Sequence, residues 1–219
     1  MHETVKNLLN IKEEIKSSCK KLNIDSLPQV IAVSKTFGIE KIKPLIDHGH
    51  LHFGENKVQE AIEKWKDIKL KNPNIKLHLI GKLQSNKVKF LPGIFDFIHS
   101  LDNIKLANKI SEHQKKNNWE PKVFIQVNIG NETQKNGIDS ENLYDFYKKC
   151  TDLKLNIIGL MCIPPINFKN DHLFKAMNDH KNSLSLKHLS MGMSSDYLDA
   201  IKFNSTFLRI GSNIFGKRD

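Results

Sequence analysis

Two stretches of this 219-residue chain carry residues whose types and spacing could do chemistry together. One is Val30-Ile31-Ala32-Val33-Ser34-Lys35-Thr36, where small and branched apolar residues deliver a lysine just where a buried strand should stop. An amine held in an apolar mouth loses the hydration that favours its charged form. A neutral amine can attack an aldehyde and form a Schiff base. The other stretch is Phe207-Leu208-Arg209-Ile210-Gly211-Ser212-Asn213-Ile214-Phe215-Gly216. Its apolar run carries an arginine and opens into a small-polar turn. Gly211 and Ser212 would present backbone N–H groups and a hydroxyl at the start of a short final helix, which suits a phosphate. Ser194 and Ser195, opening the helix before it, could add donors, although Ser195 could equally be only a cap. A lysine at one strand end and an anion cradle at another predict a bound aldehyde phosphate.

Other candidates weigh less. Arg209 alternates with the apolar residues of its strand. A buried guanidinium there would donate to a fixed acceptor atom or pair with Glu55 or another acid, and both readings stay open. His48, His50 and His52 alternate, with His50 and His52 expected on one strand face, but no third ligand accompanies them and no metal site is expected. His78 reads as a satisfied core or rim histidine rather than a general base. Cys19, Cys150 and Cys162 are widely spaced without a CxxC, so they read as packing residues.

These residues need elements to position them. Leu8, Leu9, Ile11, Ile15 and Leu22 give a helical rhythm over about 3–22. After it a unit repeats: short apolar run, polar turn, charged helix. The runs are Val30 to Ser34, Leu51 to Phe53, Lys76 to Ile80, Ile94 to His99, Val123 to Val127, Leu155 to Met161, Leu186 to Leu189 and Phe207 to Ile210. Helices are expected over Ile39 to His48, Glu55 to Trp65, from Asp102 as cap to Lys116, from Ser140 as cap, from about Asn170, and over Ser195 to Phe203. Eight such units predict a closed (β/α)8 barrel of α/β class, with an open doubly wound sheet as the rival. No GxGxxG follows the first strand and no P-loop motif is present. One domain over 1–219 is expected. In a barrel the C-terminal strand ends share one mouth, so Lys35, Asn56, Met191, Ser194, Ser195, Arg209, Gly211 and Ser212 would converge.

Composition narrows the function classes. Hydrophobic residues make up 39%, which argues against disorder. No apolar run is long enough to span a bilayer, and the first residues lack a secretory pattern, so a cytoplasmic protein without membrane attachment is expected. The net charge of +10 could serve nucleic acid, but the lysines are scattered rather than clustered, which argues against that partner. A basic surface still favours phosphorylated small molecules.

Taken together, the blocks Ala32-Val33-Ser34-Lys35-Thr36, Phe53-Gly54-Glu55-Asn56, His78-Leu79-Ile80-Gly81, Leu83-Gln84-Ser85-Asn86-Lys87, His99-Ser100-Leu101-Asp102, Gln126-Val127-Asn128-Ile129, Gly159-Leu160-Met161, Leu189-Ser190-Met191-Gly192-Met193-Ser194 and the 205–216 segment make the chain resemble the YggS/PROSC family of pyridoxal 5′-phosphate homeostasis proteins over nearly its full length. The resemblance implies a barrel like the N-terminal domain of alanine racemase, with pyridoxal 5′-phosphate (PLP) held as a Schiff base on Lys35. It implies that the phosphate rests on Ser194, Gly211 and Ser212, with the Ser195 backbone as an addition. Arg209 would face the pyridine nitrogen, and Asn56 and Met191 would line the cofactor. Four positions depart from the family pattern: Asn103 for arginine, Asn213 for an alanine-like residue, Ser212 for threonine, and Lys82 for a proline expected to lie outside direct cofactor contact.

The resemblance also implies a carrier that holds the cofactor and passes it to recipient PLP-dependent apo-enzymes, without catalytic turnover and as a monomer. A weak racemase-like amino-acid enzyme is the alternative. An arginine at the ring nitrogen makes a poorer electron sink, although alanine racemase works with one. Racemases of this fold use a tyrosine from an additional domain. Here Tyr144, Tyr147 and Tyr197 fall on helical segments, and the sequence ends at Asp219 with no room expected for that domain.

Overall fold

The computed structural model describes residues 1–130, 136–165 and 170–216. Eight parallel strands close into a barrel in sequence order: β1 (Gln29–Val33), β2 (His52–Glu55), β3 (Lys76–Leu79), β4 (Phe97–Leu101), β5 (Lys122–Gln126), β6 (Ile157–Met161), β7 (His188–Met193) and β8 (Phe207–Ile210). Closure is made by β1 against β8, with Ile31 opposite Arg209 and Ala32 opposite Ile210. The helices are α1 (Glu3–Lys21), α2 (Ile39–Asp47), α3 (Val58–Lys71), α4 (Ile104–Asn117), α5 (Leu143–Asp152), α6 (Asp171–Ser183), α7 (Tyr197–Lys202) and α8 (Ser212–Phe215). The barrel rather than the open sheet is therefore the architecture.

Strand alternation divides the core. Inward-facing Ile31, Phe97, Phe124, Met161 and Phe207 form one cluster inside the barrel, and the much larger cluster lies between strands and helices. Helix α1 joins the outer layer through Val5, Leu8, Ile11, Ile15 and Cys19, spaced three and four apart, and packs along α8, α2 and α7.

Several boundaries differ from the sequence reading for local reasons. Asn103 caps α4, its Oδ1 accepting from the Leu106 N–H at 2.9 Å, while Asp102 takes the Asn103 side-chain amide. The departure at position 103 thus serves as a helix cap. Ser140 opens a 3-10 turn over Ser140–Asn142 that runs into α5, so it is not the cap. Ile94 and Phe95 lie before β4, in a turn whose amides return to the Leu91 carbonyl. β2 reaches Glu55, and α3 begins only at Val58. β2 also begins at His52. His50 therefore precedes it, its Nε2 bonded to the His52 carbonyl and its ring edge-on to Phe53, so the two do not share a strand face.

Candidate functional site

At the C-terminal ends of the strands lies a cavity of about 700 Å³. Its walls include seven of the eight residues expected there: Lys35, Asn56, Ser194, Ser195, Arg209, Gly211 and Ser212. Lys35 is half-buried two residues after the end of β1. The chain turns away from it at Thr36, whose φ of 69° is unfavourable for a β-branched residue, and whose Oγ1 donates to the Lys35 carbonyl at 2.5 Å. The residue before it, Ser34, is anchored from behind. Its Oγ donates to the buried Glu55 carboxylate at 2.8 Å, and Glu55 also accepts from Lys64 Nζ at 3.0 Å and Trp65 Nε1 at 2.9 Å. Lys64 in turn donates to the Ser34 carbonyl at 3.0 Å. Glu55 is thus paired on the helix side of the sheet and does not hold Arg209.

Arg209 faces inward from β8 and is 4% exposed. Its Nη1 donates to the carbonyl and hydroxyl of Ser190 at 2.6 and 2.7 Å, and its Nη2 to the Cys162 carbonyl at 2.8 Å. No carboxylate among the described residues pairs with it. The sequence alternatives are resolved toward fixed acceptors. Burial pushes its pKa down, while Cys162 and Asp196 pull it up. Three donated bonds leave guanidinium N–H groups over for the cavity that Arg209 lines, since an arginine carries about five donors.

The turn after β8 sits against the end of β1. A Cβ on Gly211 would stand 3.3 Å from the Val33 carbonyl. The backbone N–H groups of Gly211 and Asn213 both point at Ser194 Oγ, at 3.3 and 3.5 Å, and the Asn213 amide donates to the Ser194 carbonyl at 3.0 Å. Asn213 therefore braces the two turns against each other. Ser195 is exposed and is not a cap, because Asp196 precedes α7 and accepts the Met193 N–H at 2.6 Å.

Met191 lies elsewhere than expected. It is fully buried in the cluster between strands and helices and is absent from the cavity wall, where Met193 stands instead. Ordinary alternation turns Met191 toward the helices, since Ser190 before it faces the barrel interior; Gly192 at φ 90°, within a register shift between Ser190 and Met193, then breaks the alternation and brings Met193 to the cavity. β7 extends to Met193, four residues beyond the expected end. Lys82, expected to lie away from the cofactor, lines the cavity. Phe37, Ile80, Gln126 and Asn136 also line it and were not singled out from the sequence. Phe37 is fixed by stacking on Phe215, with ring centroids 5.0 Å apart.

The chain matches the family model described as alanine racemase, N-terminal domain, over residues 7–219. A pyridoxal phosphate homeostasis protein of Aquifex aeolicus is 36% identical over 222 residues, covering 96% of both chains. The chain belongs to the pyridoxal phosphate homeostasis family. Members of this family carry that name rather than an enzyme's, including the Escherichia coli relative, 31% identical over 98% of its length. Among solved structures, PipY of Synechococcus elongatus, determined without PLP, superposes with a TM-score of 0.82 at 33% identity, covering 92% of this chain and all of that one. PipY with PLP bound gives 0.80 at 32%. An alanine racemase of Clostridium difficile shares only the fold, with a TM-score of 0.71 at 15% identity. No helix among the described residues is long and apolar enough to cross a membrane, and no cluster of metal-ligating side chains occurs among them.

Proposed function

We propose that the upper cavity binds PLP and that this protein holds and releases the cofactor within the cell's PLP economy. The observation that carries this reading is the meeting of an amine, a buried guanidinium and a hydroxyl-and-amide turn on the wall of one cavity of about 700 Å³. The cofactor would supply an aldehyde, a phosphate and a ring nitrogen, and each finds a partner of suitable chemistry here.

Lys35 supplies the amine that bonds the aldehyde reversibly, with loss of one water. The Ser34–Glu55–Lys64 bracing behind it fixes where the lysine leaves the strand. The phosphate belongs at the turn of Ser194, Gly211 and Ser212, with Ser195 beside it. The Gly211 and Asn213 N–H groups converge on one oxygen at separations longer than the usual 2.9–3.0 Å, a geometry that a phosphate oxygen could satisfy better. Arg209 is an obligate donor, held by three bonds with N–H groups to spare, so it suits an unprotonated ring nitrogen. Asn56 and Met193 would border the ring.

Carriage rather than turnover is favoured by the tyrosines. Tyr197 is hydrogen-bonded to Glu14 on α1, Tyr144 is exposed on α5, Tyr147 packs on the outer cluster, and none of them lines the cavity. A racemase-like reaction would lack a tyrosine base among the described residues. Recipient apo-enzymes would accept the cofactor after water or another amine displaces Lys35.

The test is absorption spectroscopy during PLP titration, followed by borohydride reduction and peptide mapping. A saturable adduct confined to Lys35, absent in Lys35→Ala, is expected. Equal labelling of Lys35→Ala would overturn the assignment. Amino-acid racemisation by the loaded protein, lost in Lys35→Ala, would overturn the carrier reading.

A further inference from the structure

From Arg209 the barrel interior holds an uninterrupted line of polar side chains that the proposed function does not use beyond that arginine. His52 Nδ1 meets His78 Nε2 at 2.9 Å, His78 Nδ1 meets His99 Nε2 at 3.0 Å, and His99 Nδ1 meets Ser190 Oγ at 2.9 Å. Ser190 Oγ in turn accepts from Arg209 Nη1 at 2.7 Å. His78, His99 and Ser190 are fully buried, and the imidazoles of His78 and His99 stack on Phe97 and Phe124. The line begins at Arg209, in the wall of the upper cavity. It ends at His52, in the wall of a second cavity of about 490 Å³ at the opposite end of the strands, beside Lys76, Asp96 and Lys122.

The chemistry of the end groups fixes its direction. Arginine only donates, so Ser190 Oγ must accept from it. The Ser190 hydroxyl proton then needs an acceptor, and the remaining partner of this oxygen is His99 Nδ1. His99 must therefore be neutral with its proton on Nε2, which donates to His78 Nδ1. His78 then carries its proton on Nε2 and donates to His52 Nδ1, which leaves His52 with Nε2–H at the lower cavity. The reverse direction would leave the serine proton without a partner at a site with no water access, an unmade bond that buried groups rarely tolerate. A charged imidazole at His78 or His99 would turn an added Nδ1–H against a donor, the His99 Nε2–H or the Ser190 hydroxyl.

We propose that Arg209 imposes one direction on a five-residue relay, Arg209→Ser190→His99→His78→His52, which holds all three imidazoles as neutral Nε2–H tautomers and makes the His52 Nε2–H a donor at the lower cavity. Ser190, His99 and His78 are thereby positioning residues for Arg209, acting along the barrel axis rather than from the cavity wall. Burial lowers the pKa of both inner imidazoles, His99 further through Arg209, and His78 further through His99, His52, His50 and Lys69. Burial also lowers that of His52, where Asp96 opposes and Lys76 and Lys122 reinforce the effect.

Long-range proton–nitrogen correlation of imidazole-labelled, ligand-free protein reads the tautomers directly, with assignments from single His→Gln variants. Pyridine-type Nδ1 and pyrrole-type Nε2 signals are expected at His52, His78 and His99 near neutral pH. A pyrrole-type Nδ1, or a charged ring, at any of the three overturns the relay. Ser190→Ala should shift the His99 Nδ1 signal toward its unbonded position, and Ser190→Thr should restore it. An unmoved His99 signal in Ser190→Ala would equally overturn the direction set by Arg209. If Ser190→Ala does not fold, the wild-type tautomers still decide.

Discussion

Acidification from about pH 7 to about pH 5 should destabilise the protein through its buried histidines. His50, His78 and His99 are all buried, and burial is the largest cause lowering each pKa, to about 3 for His50 and well below the usual value for the other two. In the unfolded chain each regains an ordinary pKa near about 6.5. Between the unfolded and folded values the unfolded state binds more protons, so stability is complete above about pH 6.5 and falls as the pH drops. A histidine that stays neutral in the folded state down to about pH 5 costs about 2 kcal/mol over this range, whatever its folded pKa below that point. The three together cost roughly 6 kcal/mol, comparable with the whole stability of many domains. His52, lowered to about 4, and the half-buried His188 act in the same direction but are partly screened. Urea unfolding followed by Trp65 and Trp119 fluorescence at closely spaced pH values should give a slope near about 4 kcal/mol per pH unit close to pH 5, the uptake of about three protons. His50→Gln should remove about one third of that slope. Uptake of less than about one proton across the range would refute the idea that these imidazoles are held neutral by burial.

Three substitutions probe the upper cavity and its supports. Glu55→Ala removes the carboxylate that Lys64, Trp65 Nε1 and Ser34 Oγ share, and should destabilise the protein by about 3–5 kcal/mol in urea unfolding, with Glu55→Gln costing clearly less. Gly81→Ala places a Cβ 2.2 Å from the Asn56 carbonyl oxygen and 2.7 Å from its Cα. It should weaken PLP binding by about tenfold in an absorbance titration, and unchanged affinity would remove Asn56 from the binding site. Thr36→Asn relieves a left-handed conformation beside Lys35 and should raise stability by about 1 kcal/mol, whereas a loss would mean that the Thr36 hydroxyl bond outweighs the strain.

The residues that line the upper cavity were more legible in the sequence than the barrel's interior, for a physical reason. Lys35, Arg209 and Gly211 stand at strand ends, where an apolar run followed by a single polar residue is visible locally, and parallel closure brings strand ends together whatever the exact register. Met193 rather than Met191 reaches the cavity because alternation along β7 fails at Gly192, after Met191 has turned to the helices, and a glycine in an apolar run does not announce a left-handed conformation. His52, His78 and His99 lie on three neighbouring strands, and their meeting depends on the stagger between β2, β3 and β4. No window of sequence contains that stagger. Read singly, His78 was rightly a satisfied histidine, but its partners came from 26 residues before it and 21 after it. The caps failed similarly, since Asp102 and Asn103 are both good capping residues and only geometry chooses between them.

Closure of the barrel also orders events during synthesis. The Asn7 side chain on α1 holds the Ile214 carbonyl across 207 residues of sequence, and β1 finds its second neighbour only in β8. Lys35 would therefore leave the ribosome long before the turn that braces Ser194 against Asn213. A nascent chain lacking residues 207–215 would carry Lys35 without Arg209 or the 211–213 turn, and its first helix would have α2 and α7 to pack against but not α8. The wall of the upper cavity would thus be complete only in a finished molecule, and a stalled chain would lack its β8 side.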